Sequence, residues 1–241
     1  MSNVFNILVV TGATFEADIA AGDGVTTICS GADPARLRKI LAETDPRTFH
    51  AVISFGLAGG LHPTLRPGHL LIADEIVFSA KTWQAHPDLS DALHAKLNAN
   101  EKISRGRFAG ADATIMTPHA KTALHVATNA AAVDMETHIV AEFAESAKLP
   151  WGALRAVCDP ASRALPPLAM AGLKPDGGID FAATLKSLAR DPLQIPALIR
   201  TGIDTAIAVA ALRRARGRLG AGFGLRGLLL GSLGLGGADL R

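Results

Sequence analysis

The sequence predicts an α/β protein, a three-layer α/β/α sandwich, from three observations. Short β-like runs recur between helical patterns, most of those runs are continuously apolar rather than alternating, and the 241-residue chain is 49% apolar. A strand covered on both faces has no solvent side to mark with polar residues, so unbroken apolar runs point to a sheet with helices above and below it. The length fits one large α/β domain better than two small ones.

Taken in order, the predicted strands are Ile7 to Thr11, Val25 to Cys29, Ala51 to Phe55, Leu70 to Ala73, Ala132 to Asp134 and Ala153 to Cys158. Helices are predicted over Pro34 to Glu43, Leu89 to Asn98, Thr137 to Lys148 and Phe181 to Ala189, from apolar residues recurring at helical spacing. After about Leu165 the texture changes, with Pro166, Pro167, Pro175, Pro192 and Pro196 preceding a long helical stretch from Ala197 to Arg216. We read residues 1–216 as one domain with a C-terminal helical appendage from about 165. Residues 217–241 form a Gly/Leu-rich tail whose nine glycines argue against a stable packed element.

Composition narrows the function classes. A net charge of +2 gives no general nucleic-acid signal, although basic residues gather at Arg213, Arg214, Arg216, Arg218 and Arg226. Two cysteines, Cys29 and Cys158, lie in apolar β-like runs and suit buried thiols rather than a disulfide framework. The eight histidines show no paired ligand spacing, so no metal site is expected. The start of the chain lacks a secretion-signal pattern, and no apolar run approaches the ~18 residues that span a bilayer, so a cytoplasmic location is expected. The long C-terminal helix, with Leu198, Ile199, Ile203, Ile207, Val209 and Leu212 ahead of its arginines, has two readings. It can lie in a membrane interface, or pack on the core with arginines complementing its dipole, and base rates favour the second.

Three carboxylates stand near strand ends, where ligands of open α/β sheets bind. Asp159 follows Arg155-Ala156-Val157-Cys158, Glu136 follows Val133-Asp134-Met135, and Glu16 follows Thr11-Gly12-Ala13-Thr14-Phe15. Each has a plainer reading: Asp159 before Pro160 can cap a helix, and Glu16 and Glu136 can be acids in a first helical turn. Ser54 to Gly60 reads as a glycine-rich turn after a strand, placing backbone amides near an anion or a sugar, or simply as a tight connection. It matches neither Gly-x-Gly-x-x-Gly nor a Walker loop.

These segments carry a resemblance. Gly56 to Gly60, Pro67-Gly68-His69-Leu70-Leu71-Ile72-Ala73-Asp74-Glu75, Gly110-Ala111-Asp112-Ala113-Thr114-Ile115, Val133 to Glu136 and Arg155 to Asp159 resemble the purine nucleoside phosphorylase and 5′-methylthioadenosine/S-adenosylhomocysteine nucleosidase superfamily in order and spacing, over residues 5–162. Within it, Phe15-Glu16-Ala17, Asp33 to Leu37, Ala132 to Glu136 and the arginine-ended helix are similar to the hopanoid-associated phosphorylase branch, proposed to remove adenine from adenosylhopane.

The resemblance implies a mixed, mostly parallel central sheet and cleavage of the N-glycosidic bond of an adenine nucleoside. It implies that Asp159 protonates the departing purine, that Met135 packs on the ribose and that Glu136 accepts its hydroxyls. Glu16 is implied as the residue that positions water, with backbone near Thr114 and Ile115 meeting the base. For phosphate as a competing co-substrate, Ser30, Gly31, Gly56 and Arg36 are the candidates, but Leu57 stands where many relatives carry Ser or Thr. No metal or organic cofactor is implied. The expected partner is a small-molecule or lipid-linked adenine nucleoside, not nucleic acid, with peripheral membrane contact and a homo-oligomer as further expectations. The alternatives are a methylthioadenosine/S-adenosylhomocysteine nucleosidase and a non-catalytic nucleoside-binding protein.

Overall fold

The structure, a computed structural model, describes residues 5–97, 99, 101–166 and 195–232. Its eight-stranded sheet comprises β1 (Ile7–Thr11), β2 (Val25–Cys29), β3 (Val52–Gly60), β4 (Leu70–Phe78), β5 (Lys81–Gln84), β6 (Ile103–Gly110), β7 (Ala132–Asp134) and β8 (Trp151–Asp159). All six predicted runs are strands, and three of them extend further than their apolar stretch. The helices are α1 (Thr14–Ala20), α2 (Pro34–Ala42), α3 (Pro87–Leu97), α4 (Pro118–Thr128), α5 (Thr137–Ala147), α6 (Ile195–Leu219) and α7 (Arg226–Ser232). The predicted helix at Phe181 to Ala189, and most of the Pro-rich stretch before α6, lie outside the described residues.

The sheet is mixed and mostly parallel. β1 pairs in parallel with β2 and β3, β3 with β8, β4 with β6 and β6 with β7, while β3–β7, β4–β5 and β4–β8 are antiparallel. These pairings close a ring, because β3, β8, β4, β6 and β7 each bond to the next and β7 returns to β3. One face carries α1, α3 and α6, whose Ala20, Leu89, Leu93, Leu97, Ala208, Ala211 and Leu212 pack on Ile53, Phe55, Leu154 and Ala156. The other carries α2 and α5, whose Leu37, Leu41, Ile139, Val140 and Ala144 pack on Val52, Ala58, Ala153 and Val157.

Local chemistry starts these helices where they start. Asp33 accepts from the amides of Ala35 and Arg36 at 2.9 and 3.0 Å, with Pro34 in the first turn of α2. Thr117 and Pro118 open α4 in the same way, the Thr117 hydroxyl accepting from Ala120 N at 3.2 Å.

Three expectations are corrected. Gly56 to Gly60 is no turn after a strand: the segment is the second half of β3. Its glycines are spaces in a strand, because a Cβ on Gly56 would lie 2.6 Å from the Glu16 carboxylate. Nor is the chain after residue 217 unpacked throughout its described part. Gly220, Gly222 and Gly224 take positive φ of 69°, 53° and 69°, and the tight bend they form inserts Phe223 edge-on to Phe55 with ring centroids 5.4 Å apart. Leu225 and Leu229 are buried beside it. Finally, α6 is long and apolar enough by length and composition to cross a membrane. It also packs through Ala208, Ala211, Leu212, Ala215 and Leu219, which belong to the core.

Candidate active site

The site is built where β1, β3, β7 and β8 end. The first turn of α1 brings Glu16 back over the β1 terminus, where Oε2 accepts from the amides of Gly12 and Ala13, both at 2.8 Å. Its Oε1 accepts from Leu57 N on β3 at 2.8 Å. Glu16 does stand in the first turn of α1, and the carboxylate that steadies that helix also ties it to β3. Three backbone amides converge on one side chain, which forms a cradle for negative charge filled by the protein's own acid.

Glu136 arrives from β7. Its Oε1 accepts from Ser30 Oγ at 3.2 Å and its Oε2 from Arg155 Nη2 at 3.1 Å. A Cβ on Gly12 would lie 2.9 Å from Glu136 Oε1 and 3.4 Å from Glu16 Oε2, so both acids converge over that glycine. Glu136 stands at the N-cap position of α5, but its side chain makes no capping bond. Asp134 supplies those bonds instead, accepting from the amides of Glu136 and Thr137 at 2.9 and 2.7 Å and from Thr137 Oγ1 at 2.7 Å.

One buried guanidinium serves these acids. Arg155 Nη2 donates to Ser54 Oγ at 2.6 Å and to Asp134 Oδ1 at 3.2 Å, besides Glu136, and Arg155 Nη1 donates to Leu57 O at 3.3 Å. Three carboxylates around one cation leave excess negative charge in a buried site, so protons are retained there. Burial raises the Glu136 pKa to about 7 against the opposing charge of Arg155, with Asp134 and Glu16 adding to the rise. Burial likewise raises Glu16, opposed by Arg155 and by the three amides.

Asp159 closes β8. The β3–β8 register runs Ala58 to Val157 and then Gly59 to Asp159, so Cys158 is an extra residue that re-aims the strand end. The Asp159 carboxylate settles over Gly59, whose Cβ would lie 3.3 Å from Oδ2. The chain then turns through 161–162, and no helix follows among the described residues 160–166, so Asp159 caps none there. Its Oδ2 accepts from Lys121 Nζ at 2.5 Å, and its Oδ1 accepts from the Cys158 thiol at 3.0 Å. Burial raises the Asp159 pKa, while Lys121 and the thiol hydrogen bond lower it.

The remaining candidates divide. Thr114 Oγ1 donates to Met135 Sδ at 3.5 Å, joining the expected base and ribose residues, and Ile115 packs on the small cluster of Leu61, Ala109, Ala130 and Val133. Ser30 is buried on Glu136, and Gly31 follows with φ of +71°. Arg36 sits in the first turn of α2, where its amide completes the Asp33 cap and the residue is exposed, outside the buried cluster. Sequence reasoning assigned no role to Asp134, Arg155 or Lys121. A charged residue inside the apolar run of β8 is the signal that marks Arg155, whereas Lys121 has only the Thr117-Pro118 helix start nearby.

Known proteins share this arrangement of strands and helices. The model of the phosphorylase superfamily matches residues 39–174. No protein of curated function matches. Among solved structures, the 5′-methylthioadenosine/S-adenosylhomocysteine nucleosidase of Neisseria meningitidis, in complex with methylthio-immucillin-A, is similar with a TM-score of 0.62 and 16% identity over 88% of this chain and 97% of that one. The futalosine hydrolase of Helicobacter pylori strain 26695 gives 0.61 and 18% over 79% and 100%. An aspartate-to-asparagine mutant of the Helicobacter pylori nucleosidase, with 5′-methylthioadenosine in its active site, gives 0.60 and 18% over 77% and 98%. At these identities the likeness is one of fold.

Proposed function

The chain belongs to the phosphorylase superfamily and is an enzyme of glycosidic-bond cleavage, and on that premise we propose that it releases adenine from a lipid-linked adenine nucleoside, adenosylhopane, with water as the attacking group. The observation that carries the reading is the placement of two buried carboxylates over β3, Glu16 at Gly56 and Asp159 at Gly59. Those glycines are three steps apart on β3, roughly 10 Å along the strand, which brings both acids to the same strand end.

The roles follow from the surroundings. Asp159, whose pKa burial raises, gives a proton to the five-membered ring of the purine as the C1′–N bond breaks, so adenine leaves neutral. Glu136 accepts the ribose hydroxyls and Met135 covers the sugar, beside Thr114. Glu16 takes a proton from the water that attacks the oxocarbenium-like carbon. Water is favoured over phosphate because the amides of Gly12, Ala13 and Leu57 already bind Glu16, and Ser30 already binds Glu136. A phosphate dianion there would meet two carboxylates instead of free donors.

The lipid-linked part of the reading is supported by α6. Ile195, Ile199, Ile203 and Ile207 recur every fourth residue and are exposed, forming an apolar stripe. Asp204, on the same helix, pairs with Arg163, four residues beyond Asp159, which ties α6 to the segment that follows β8. We assign that stripe to peripheral contact with the membrane that holds the hopanoid.

The test is adenine release from adenosylhopane in vesicles and from methylthioadenosine, each with and without phosphate, with Asp159→Asn as control. Phosphate-independent release, faster from adenosylhopane and lost in the variant, is expected. Release that requires phosphate overturns the role of water, preference for methylthioadenosine overturns the lipid-linked substrate, and no release from either overturns the activity.

A further inference from the structure

Lys121 is the one residue of α4 that is fully buried, and a buried lysine needs a reason. Its ammonium makes the 2.5 Å contact to Asp159 Oδ2 and lies 3.4, 3.2 and 3.0 Å from the carbonyl oxygens of Asp159, Pro160 and Arg163. Every acceptor belongs to the end of β8 or the turn beyond it. A purely structural lysine would need only those carbonyls, yet this one also takes one oxygen of the carboxylate at the site. Oδ2 is thereby committed, and Oδ1, held among the described residues only by the weak thiol donor of Cys158, is the oxygen left to meet a base.

We propose that Lys121 is a positioning residue for the reaction, acting through Asp159: it fixes the carboxyl so that Oδ1 delivers the proton, and its positive charge stabilises the carboxylate left behind. This rests on the reading of Asp159 as the acid of adenine release. In the step, the Oδ1–H bond breaks as a purine ring nitrogen takes the proton, and the electron pair of the C1′–N bond passes to the purine. Negative charge that was absent from Asp159 before transfer then sits beside the ammonium, in a site too dry for water to screen it. Because Lys121 favours the charged form, its interaction strengthens along the reaction coordinate, which is the condition for lowering the barrier rather than merely binding substrate. The opposing effects of burial and Lys121 on the acidity of Asp159 agree with this arrangement.

The test compares Lys121→Met and Lys121→Gln with wild type in adenine release, following kcat, KM and the pH profile, with Asp159→Asn and the double variants alongside. Gln keeps amide donors for the turn carbonyls and removes the charge, so it serves if Met does not fold. Expected are a fall in kcat of about 10- to 100-fold with KM within about threefold, and an alkaline limb of kcat/KM moved up by about one pH unit or more, since an opposite charge at this range shifts a carboxyl by that much. In the Asp159→Asn background the same substitution should change kcat by less than about twofold, because the group it acts through is gone. An unmoved alkaline limb, or a full additional loss in the Asp159→Asn background, overturns the proposal. If wild type itself releases no adenine, it is the assignment of the activity that fails, not the role of Lys121 within it.

Discussion

Gly56→Ala is the sharpest probe of how the site is held together. The new methyl carbon would lie 2.6 Å from Glu16 Oε1, 2.7 Å from Cδ and 2.8 Å from Oε2, at a backbone φ of +150°. Ordinary contact begins near 3.4 Å, so the carboxylate must retreat by about 0.8 Å. It has nowhere to go without stretching its three 2.8 Å hydrogen bonds to Gly12, Ala13 and Leu57. Losing much of those, at about 1 kcal/mol net each, and adding backbone strain of about 1–3 kcal/mol gives an expected destabilisation of about 3–5 kcal/mol. That corresponds to a fall of roughly 10 °C in Tm for a domain of this size. A carboxylate displaced by this much from its working position also lowers kcat by about 10²-fold. Gly59→Ala is the control in the same strand. Its methyl would meet Val133 and Asp159 at 3.2 and 3.3 Å, and neighbours need to yield only slightly, for a cost of about 1 kcal/mol. Thermal unfolding and single-turnover adenine release measure both effects. Wild-type Tm and kcat in Gly56→Ala, or a larger loss in Gly59→Ala, would refute the reasoning.

Other expectations test the charges and the core. Glu136, raised from 4.5 to about 7, binds more protons folded than unfolded between those values, so its contribution to stability is present below pH 4.5 and lost as pH rises through about 7. Glu136→Gln should remove that fall, worth up to about 3 kcal/mol, in denaturant melts across the window, and a slope equal to wild type would show that other groups cause it. Arg155→Met leaves Asp134, Glu136 and Glu16 without their cation and should cost about 3–5 kcal/mol at about pH 8. The loss should be smaller at about pH 5, where the carboxyls can hold protons, and equal losses at both would contradict the charge argument. Phe223→Ala, removing a buried ring from behind Phe55, should cost about 3–5 kcal/mol. A neutral result by thermal melting would mean that the segment after residue 217 contributes nothing to the fold.

Strands buried on both faces, such as β1 and β8, could be read from the sequence because nothing polar interrupts them for long, and the half-buried edge strand β2 was legible as well. β5 and β6 were hidden for the opposite reason. Lys81–Gln84 exposes three of its four residues, and β6 carries Arg105 and Arg107, which pair with Asp74 and Glu75 on the neighbouring strand. Missing α4 concealed Lys121, since that helix offers no apolar stripe and buries a lysine instead. The acids Glu16, Glu136 and Asp159 were legible because each follows an apolar run. Their mutual arrangement was not, because it depends on glycines whose role is to leave room, and an absent side chain looks the same in a turn and in a strand. The tail failed likewise: its glycines make the bend that seats Phe223.

The β3–β8 pairing matters also for when the enzyme comes into being. Val52 pairs with Trp151 and Gly59 with Asp159, so the central ladder joins segments about a hundred residues apart in the chain. Contacts of such separation form late, after loop closure has been met by nothing but entropy loss. A nascent chain that has emerged as far as α5 holds Glu16 and Glu136 but neither Arg155 nor Asp159, and the ring is still open between β3 and β4. The candidate site is therefore complete only once β8 docks, and until then the chain exposes two unpaired strand edges that a chaperone, or a second nascent chain, can engage.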